Sequence, residues 1–151
     1  MKHFKNLKIV VISVLFTFCF AFAHAQQNYV NQHLRIAKEL SKQYAIPSSV
    51  ILAIAIVETG AGTSKGSKAY NNHFGIVGKN TVSNSRYKSF SSVRESYEEF
   101  CKMITRKKYY AQLKGSDDHS DWIRAIASAG YSTQPQEWMR RVKMVISKIH
   151  L

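Results

Sequence analysis

Residues 46–64 read IPSSVILAIAIVETGAGTS, and an unbroken apolar run extends from Val50 to Val57. By periodicity alone, a run of this length fits a buried helix or a buried strand equally well. The Pro-Ser-Ser that precedes it and the alanines within it favour a helix, because proline suits a helix start and alanine has a high helix propensity. The TGAG that follows Glu58 is expected to end the element. The sequence therefore predicts a buried helix that ends close to Glu58.

Helical signals recur on both sides of this run. Ser92 followed by Glu95 is a capping-box pattern, Ser120 marks a second helix start, and Thr133 suits the cap of a last helix. Apolar residues also recur at helical spacing over residues 29–44. The further predicted helices therefore cover residues 29–44, 92–107, 120–129 and 135–149. Residues 63–90, rich in Gly, Ser, Asn and Lys, are predicted to form a loop with at most a short irregular hairpin. The expected fold is therefore mainly α, with five or six helices.

Length and composition fit a single domain. The chain has 151 residues, of which 45% are hydrophobic and 21% charged, and it contains no repeat or linker-like segment. We therefore assign residues 28–151 to one domain. A net charge of +13 at pH 7 predicts an acidic partner, which in general is nucleic acid, an anionic membrane or an acidic wall polymer.

The N-terminus carries the pattern of a secretory signal peptide. Three lysines precede an apolar stretch over residues 9–23, and Ala23-His24-Ala25 matches a small-x-small cleavage site. The stretch is shorter than the ~20 residues that span a bilayer, which makes an uncleaved anchor the weaker alternative. Residues 1–25 are therefore predicted to be removed. Loss of the three lysines leaves 19 Lys and Arg against nine Asp and Glu, a net charge of +10.

Several classes of function are disfavoured. Export and the scattering of the basic residues argue against nucleic acid as the partner. Cys101 is the only cysteine after the leader, so no intramolecular disulfide and no cysteine-based metal site are expected, and its apolar setting indicates a core residue. The sequence contains no serine hydrolase, zincin or nucleotide-binding motif. We predict neither a metal nor a cofactor.

Glu58 is the strongest candidate for catalysis. It ends an apolar run at a helix C-terminus, where poor solvation and the helix dipole both disfavour a negative charge. A carboxyl pKa raised in this way suits a general acid that works near neutral pH. The alternative is a carboxylate paired with one of the many Lys or Arg side chains, which would cancel the shift of the pKa.

Two other segments combine polar and aromatic side chains with a glycine. Residues 71–75, NNHFG, fit either a polar and stacking surface for a sugar or an Asn-rich turn closed by a core Phe. Residues 129–135, AGYSTQP, place Tyr131 in a turn between helices, where its hydroxyl reaches either into a groove or to a backbone partner. Spacing does not separate these alternatives.

The chain resembles the glucosaminidase family of bacterial wall hydrolases, glycoside hydrolase family 73, which includes the muramidase-like domain of flagellar rod proteins. The resemblance covers nearly the whole chain after the leader and lies in four segments, IPSSVILAIAIVETGAGTS, AYNNHFGIVGK, YKSFSSVRESYEEF and AGYSTQPQEWMRRV. It implies a lysozyme-like α+β fold, with a groove between a helical lobe and a small hairpin lobe. It also implies cleavage of the β-1,4 bond after N-acetylglucosamine in peptidoglycan.

By position, the resemblance implies a role for each motif. Glu58 matches the general acid, and Tyr131 matches a tyrosine that faces the catalytic centre. The expected substrate-binding residues are Asn71, Asn72, His73, Phe74, Gly75, Tyr131 and Thr133.

The chain also departs from the family pattern. A two-carboxylate glycosidase needs a second Asp or Glu, yet residues 59–94 contain neither. Glu95 is the next acid, and its capping position already explains it. Gln134 stands where the family turn usually has Asp, and Trp138 stands where a tyrosine is common. These departures favour a mechanism in which the acetamido group of the substrate is the nucleophile and Glu58 is the only acid.

The sequence as a whole predicts an exported, wall-associated peptidoglycan hydrolase in the periplasm or outside the cell. We expect a monomer that is not inserted in the membrane once the leader is cleaved. A lytic transglycosylase, which leaves a 1,6-anhydro muramoyl end, is the alternative enzyme. A non-catalytic wall-binding protein is the alternative from another class, favoured by the missing second carboxylate.

Overall fold

The apolar run of residues 46–64 forms the central helix of the protein. In the computed structural model, which describes residues 24–149 and 151, this helix is α2, Ser48–Thr59. Its residues from Val50 to Ile56 are at most 1% exposed, because α2 is covered on every side. The helix ends at Gly60, whose left-handed backbone, φ 57°, directs its N–H to the Ile56 carbonyl. The choice of helix over strand is therefore confirmed.

The remaining helices enclose α2. In chain order they are α1 over residues 24–44, α3 Lys65–Tyr70, α4 Val93–Thr105, α5 Tyr110–Leu113, α6 His119–Ser128 and α7 Pro135–Ile146. Helices α6 and α7 contact each other and both contact α2. The core between them includes Trp122, Phe100 and Cys101, all fully buried. Burial raises the pKa of the Cys101 thiol to about 12, as expected of a core residue.

A small hairpin lobe, residues 76–89, projects from this helical body. An isolated antiparallel bridge pairs Val77 with Tyr87, and the Gly78 N–H donates to the Arg86 carbonyl at 3.0 Å. Around this bridge the lobe consists of bends and irregular backbone. A mainly α fold with a short irregular hairpin lobe was predicted, and it is confirmed.

Several local predictions need correction. Helix α3 lies in the segment predicted to be irregular, and α5 lies between two predicted helices where no element was predicted, because six and four residues are too few to show a period. Helix α6 is capped by Asp118, whose carboxylate accepts from the Ser120 and Asp121 N–H groups, and not by Ser120. Helix α7 begins after Gln134 without a side-chain cap, so the capping role predicted for Thr133 is wrong.

The capping box at α4 forms in a modified version. Ser92 accepts from the Glu95 N–H as predicted, but the Glu95 carboxylate reaches back to the N–H and hydroxyl of Ser91 at 2.8 and 2.7 Å. The predicted signal peptide, residues 1–25, falls largely on residues 1–23, outside the described residues. No helix among the described residues is both long and apolar enough to cross a membrane.

Candidate active site

A groove of about 810 Å³ lies between the helical body and the hairpin lobe. Glu58 lines it at the end of α2, Tyr131 lines it from the turn before α7, and Gly75 and Asn72 lie at its floor. The other lining residues come from α3 and its cap or from the hairpin lobe: Ser64, Lys65, Gly66, Tyr70, Val77, Ser83, Asn84, Ser85, Arg86 and Tyr87. Glu58 is the one carboxylate in this set.

Glu58 is half-buried and held by one neutral donor. The indole N–H of Trp138 on α7 donates to Glu58 Oε1 at 2.8 Å. Burial raises the pKa of Glu58, and the Trp138 hydrogen bond and the positive charge of Arg141 only partly oppose this rise. No ion pair among the described residues includes Glu58, so the alternative of a cancelling salt bridge is not realised. The raised pKa expected from the sequence is confirmed.

Gly75 and Tyr131 lie next to the Glu58 carboxylate. Gly75 has φ 64°, and a Cβ built there would lie 3.6 Å from Glu58 Oε2. This φ favours glycine, and the absence of a Cβ also keeps a side chain away from the carboxylate. The Tyr131 hydroxyl donates to the Phe74 carbonyl at 3.0 Å, and its ring lies 5.3 Å from the Trp138 ring. Two aromatic side chains therefore flank the acid.

Asn72 connects the helical body to the hairpin lobe. Its side-chain N–H groups donate to the carbonyls of Ile76 and Lys88, both at 2.8 Å, and its oxygen accepts from the Ile76 N–H at 3.0 Å. Asn72 is 2% exposed. Asn71 lies in the left-handed conformation at the end of α3 and donates to the Phe90 carbonyl at 3.1 Å. The side-chain amides of Asn71 and Asn72 are thus both hydrogen-bonded to backbone groups.

His73 and Phe74 do not reach the groove. The Phe74 ring is 3% exposed and stacks on Phe100, with centroids 4.2 Å apart. The His73 ring, 4% exposed, bonds through Nδ1 to the Tyr29 hydroxyl, and burial lowers the pKa of His73 to about 4. Both rings therefore lie beneath the turn, where Phe74 packs in the core, while Asn72 and Gly75 line the groove. The contact of His73 and Phe74 with a sugar stays a prediction.

Thr133 is exposed in the turn before α7 and is not among the groove-lining residues. Its proposed contact with substrate rests on the family resemblance alone.

Among the described residues, no second Asp or Glu lines the groove. Glu95 is exposed at the start of α4 and is occupied by Ser91. Within the described part of the chain, no three His, Cys, Asp or Glu side chains are grouped so that they could hold a metal ion. The arrangement offers one carboxyl of raised pKa, a tyrosine hydroxyl and polar or cationic groups on the opposite wall.

Two features of the site were missed from the sequence. Trp138 was noted only as a departure from the family pattern, yet its indole N–H donates to the Glu58 carboxylate. A buried indole N–H needs an acceptor, and this requirement was the available signal. Lys65 and Arg86 line the groove from segments that sequence reasoning treated as a loop.

Residues 34–151 match the family model described as "Glucosaminidase: Mannosyl-glycoprotein endo-beta-N-acetylglucosaminidase". The chain is 22% identical over 148 residues to the exo-glucosaminidase LytG of Bacillus subtilis (strain 168), with 83% of this chain and 52% of that protein covered. The chain thus spans about half the length of this curated relative.

Solved structures show the same fold. The C-terminally truncated glycoside hydrolase domain of Salmonella typhimurium FlgJ superposes with a TM-score of 0.67 at 20% identity, covering 82% of this chain and 96% of that one. The catalytic domain of the autolysin Auto from Listeria monocytogenes gives 0.67 at 23% identity, covering 82% and 83%. The peptidoglycan hydrolase from Sphingomonas sp. A1 gives 0.66 at 20% identity, covering 80% and 86%.

Proposed function

Because the chain belongs to the glucosaminidase family, we propose that it hydrolyses the β-1,4 bond after N-acetylglucosamine in peptidoglycan, with Glu58 as general acid. The observation that carries this proposal is a groove in which the one carboxylate is half-buried, hydrogen-bonded by a neutral indole and raised in pKa. The structural relatives described as a peptidoglycan hydrolase and an autolysin support peptidoglycan as the substrate.

The first step is the protonation of the leaving oxygen. Burial keeps the proton on Glu58 at a pH at which an exposed Glu has lost it, and the proton passes to the glycosidic oxygen as the bond to the anomeric carbon breaks. The Trp138 N–H stays on Oε1 and stabilises the carboxylate that remains. Glu58 then accepts a proton from the water that completes the hydrolysis.

The nucleophile is proposed to be the acetamido oxygen of the N-acetylglucosamine residue itself. This choice is supported by a groove lining with no second carboxylate among the described residues. The acetamido oxygen attacks the anomeric carbon from the face opposite the leaving group, and water then opens the resulting ring. The Tyr131 oxygen, which donates its own proton to Phe74, can accept a hydrogen bond from the acetamido N–H. The initial product should retain the β configuration.

The other site residues are proposed in two roles. Glu58, Tyr131, Asn72 and Gly75 belong to the groove, while Asn71 and the two core residues of the turn, His73 and Phe74, support its shape. We also propose that residues 1–25 direct export and that residues 28–151 act as one monomeric domain at the wall, in the periplasm or outside the cell.

The test is a digest of purified peptidoglycan by the wild-type protein and by Glu58→Gln, with products identified by mass spectrometry. We expect new reducing N-acetylglucosamine ends from the wild type and a loss of about 10²- to 10³-fold or more in the variant. Proton NMR during the first minutes should show the β anomer.

Two other results would replace the proposal. Anhydro-muramoyl ends would identify a lytic transglycosylase. Absence of products, with both proteins still sedimenting with the wall, would identify a binding protein.

A further inference from the structure

The hairpin side of the groove carries two cations that the proposed chemistry does not use. Lys65, the first residue of α3, and Arg86, in the hairpin lobe, both line the groove that contains Glu58. Both residues are exposed, and neither takes part in any ion pair formed within the described residues. Their charges are therefore free to act on a ligand in the groove.

Arg86 lies in the paired part of the hairpin lobe. Its carbonyl accepts from the Gly78 N–H at 3.0 Å, and its neighbour Tyr87 forms the bridge with Val77. The guanidinium carbon lies 5.2 Å from the centroid of the Tyr87 ring. A guanidinium resting on an aromatic ring is restricted in orientation, and its planar set of N–H groups matches a carboxylate.

Lys65 lies beside a phenol that joins α3 to the hairpin lobe. The Tyr70 hydroxyl accepts from the Ser83 hydroxyl at 2.9 Å. That hydrogen bond, and then the charge of Lys65, lower the pKa of Tyr70, which indicates that the ammonium group is close to the phenol. Lys65 thus lies on α3 and Arg86 on the hairpin lobe, and the hydrogen bond between Tyr70 and Ser83 connects these two segments.

Resting on the proposed function, we propose that Lys65 and Arg86 are specificity-determining residues that bind a carboxylate of the glycan substrate. Peptidoglycan carries such carboxylates, either on the lactyl group of muramic acid or on the peptide attached to it. Polymers made only of N-acetylglucosamine carry none. Two cations against a single carboxyl give the groove lining a positive charge, which favours the acidic polymer over the neutral one.

The experiment measures binding in the Glu58→Gln background, so that no ligand is consumed. Dissociation constants are determined by calorimetry for three glycans with equal numbers of sugars. They are peptide-bearing peptidoglycan chains, chains stripped of peptide so that the lactyl carboxylates are free, and chito-oligosaccharides. The test protein carries Lys65→Gln and Arg86→Gln, and the matched control carries Lys79→Gln and Lys114→Gln, which remove the same charge outside the groove.

We expect the Lys65→Gln/Arg86→Gln protein to bind carboxylate-bearing chains about tenfold more weakly and to bind chito-oligosaccharides within about twofold of the parent. The control should remain within about twofold on every ligand at 0.15 M salt, since exposed charges at a distance are screened. Weakening confined to peptide-bearing chains identifies a peptide carboxylate. Weakening confined to the stripped chains, in which the lactyl carboxyl is no longer part of an amide bond, identifies the lactyl group, and equal weakening on both identifies a site that accepts either carboxylate.

Equal losses on charged and neutral glycans, or equal losses in the test and control proteins, would overturn the inference. If the double substitution lowers the melting temperature, the single substitutions Lys65→Gln and Arg86→Lys give the same comparison, with Arg86→Lys retaining charge but not the planar N–H pair. A wild-type protein that binds with this preference but cuts no glycan would refute the proposed hydrolysis and leave the inference standing.

Discussion

The two walls of the groove are built by opposite means. The helical wall is α2, Ser48–Thr59, whose apolar side chains are fully buried and whose end presents Glu58 against Trp138. The hairpin wall is polar and exposed, with one bridge, and Val77 and Tyr87 remain 61% and 39% exposed. Burial thus raises the pKa of Glu58 on one side, while hydrogen bonds hold the polar surface on the other. The walls should therefore respond differently to mutation.

The largest effect is expected where the two walls meet. Asn72→Ala removes two donors and one acceptor that hold the carbonyls of Ile76 and Lys88 and the Ile76 N–H. Because these backbone groups stay in place without their buried partner, we expect a loss of about 3 kcal/mol in the free energy of unfolding. Activity should fall about 100-fold, since the hairpin wall shifts relative to Glu58. Urea denaturation and the peptidoglycan digest measure the two effects.

Asn80→Ala is the matched control for this prediction. Asn80 also binds backbone within the hairpin lobe, donating to the Tyr87 carbonyl and accepting from Val82 and Ser83, but these bonds are exposed. We expect a loss of stability below about 1 kcal/mol and a much smaller loss of activity. If Asn72→Ala lost activity at unchanged stability, Asn72 would be a substrate ligand and not a connector of the walls.

A smaller effect is expected within the helical wall. Trp138→Phe keeps an aromatic ring beside Tyr131 but removes the N–H that donates to Glu58 Oε1. This hydrogen bond lowers the pKa of Glu58, so its loss raises the pKa further. The basic limb of the profile of kcat against pH should move to higher pH. The value of kcat itself should fall about tenfold, because the carboxylate formed in the reaction loses a donor.

Trp122→Phe separates this effect from the cost of a smaller ring. Trp122 is fully buried in α6, and its indole N–H donates to the Ser116 carbonyl at 2.9 Å, not to Glu58. We expect it to lower the melting temperature without moving the pH profile. A pH profile shifted equally in both variants would show that Trp138 acts only through packing.

The sequence was most informative where the structure is determined locally. Helix α2 and the raised pKa of Glu58 follow from eleven adjacent residues, 48–58, because an apolar run cannot be exposed and the carboxyl at its end shares that burial. The start of α4 was likewise predicted from neighbouring residues, because Ser92 caps this helix and accepts from the Glu95 N–H. Helices α3 and α5 were missed because they are too short to show periodicity: α3 is capped by Ser64, and α5 is held by the Tyr110 hydroxyl, which donates to the Tyr44 carbonyl.

Contacts between distant residues set the limit of the sequence-based prediction. Trp138 and Glu58 are eighty positions apart, and no local pattern in either segment indicates their hydrogen bond. His73 and Phe74 stand beside groove residues in sequence, yet their rings turn to Tyr29 and Phe100 in the core. A motif resemblance assigns the segment to the groove, whereas the direction of each side chain depends on what packs beneath it.

The smallest expected effect concerns how stability changes with pH. The direction of this change is opposite for the carboxyl groups of Glu58 and Glu95. Burial raises the pKa of Glu58 in the folded protein, so the stability it contributes is fully present below the ordinary Glu pKa and is lost as pH rises through the folded value. Hydrogen bonds from Ser91 lower the pKa of Glu95, so its contribution is present above the ordinary pKa and is lost in acid.

Glutamine keeps the shape of each side chain and cannot ionise. Each substitution therefore removes the contribution of one carboxyl group to the pH dependence of stability. Glu58→Gln should melt at the same temperature as the wild type near pH 3.5 and at a higher temperature at pH 7, where the wild type must hold or neutralise a buried charge. Glu95→Gln should melt below the wild type at pH 7 and approach it in acid. Calorimetric scans at the two pH values measure both differences. A Glu58→Gln protein that is less stable than the wild type at pH 7 would mean that the carboxylate is stabilised in the groove, and the acid role built on its burial would fail with it.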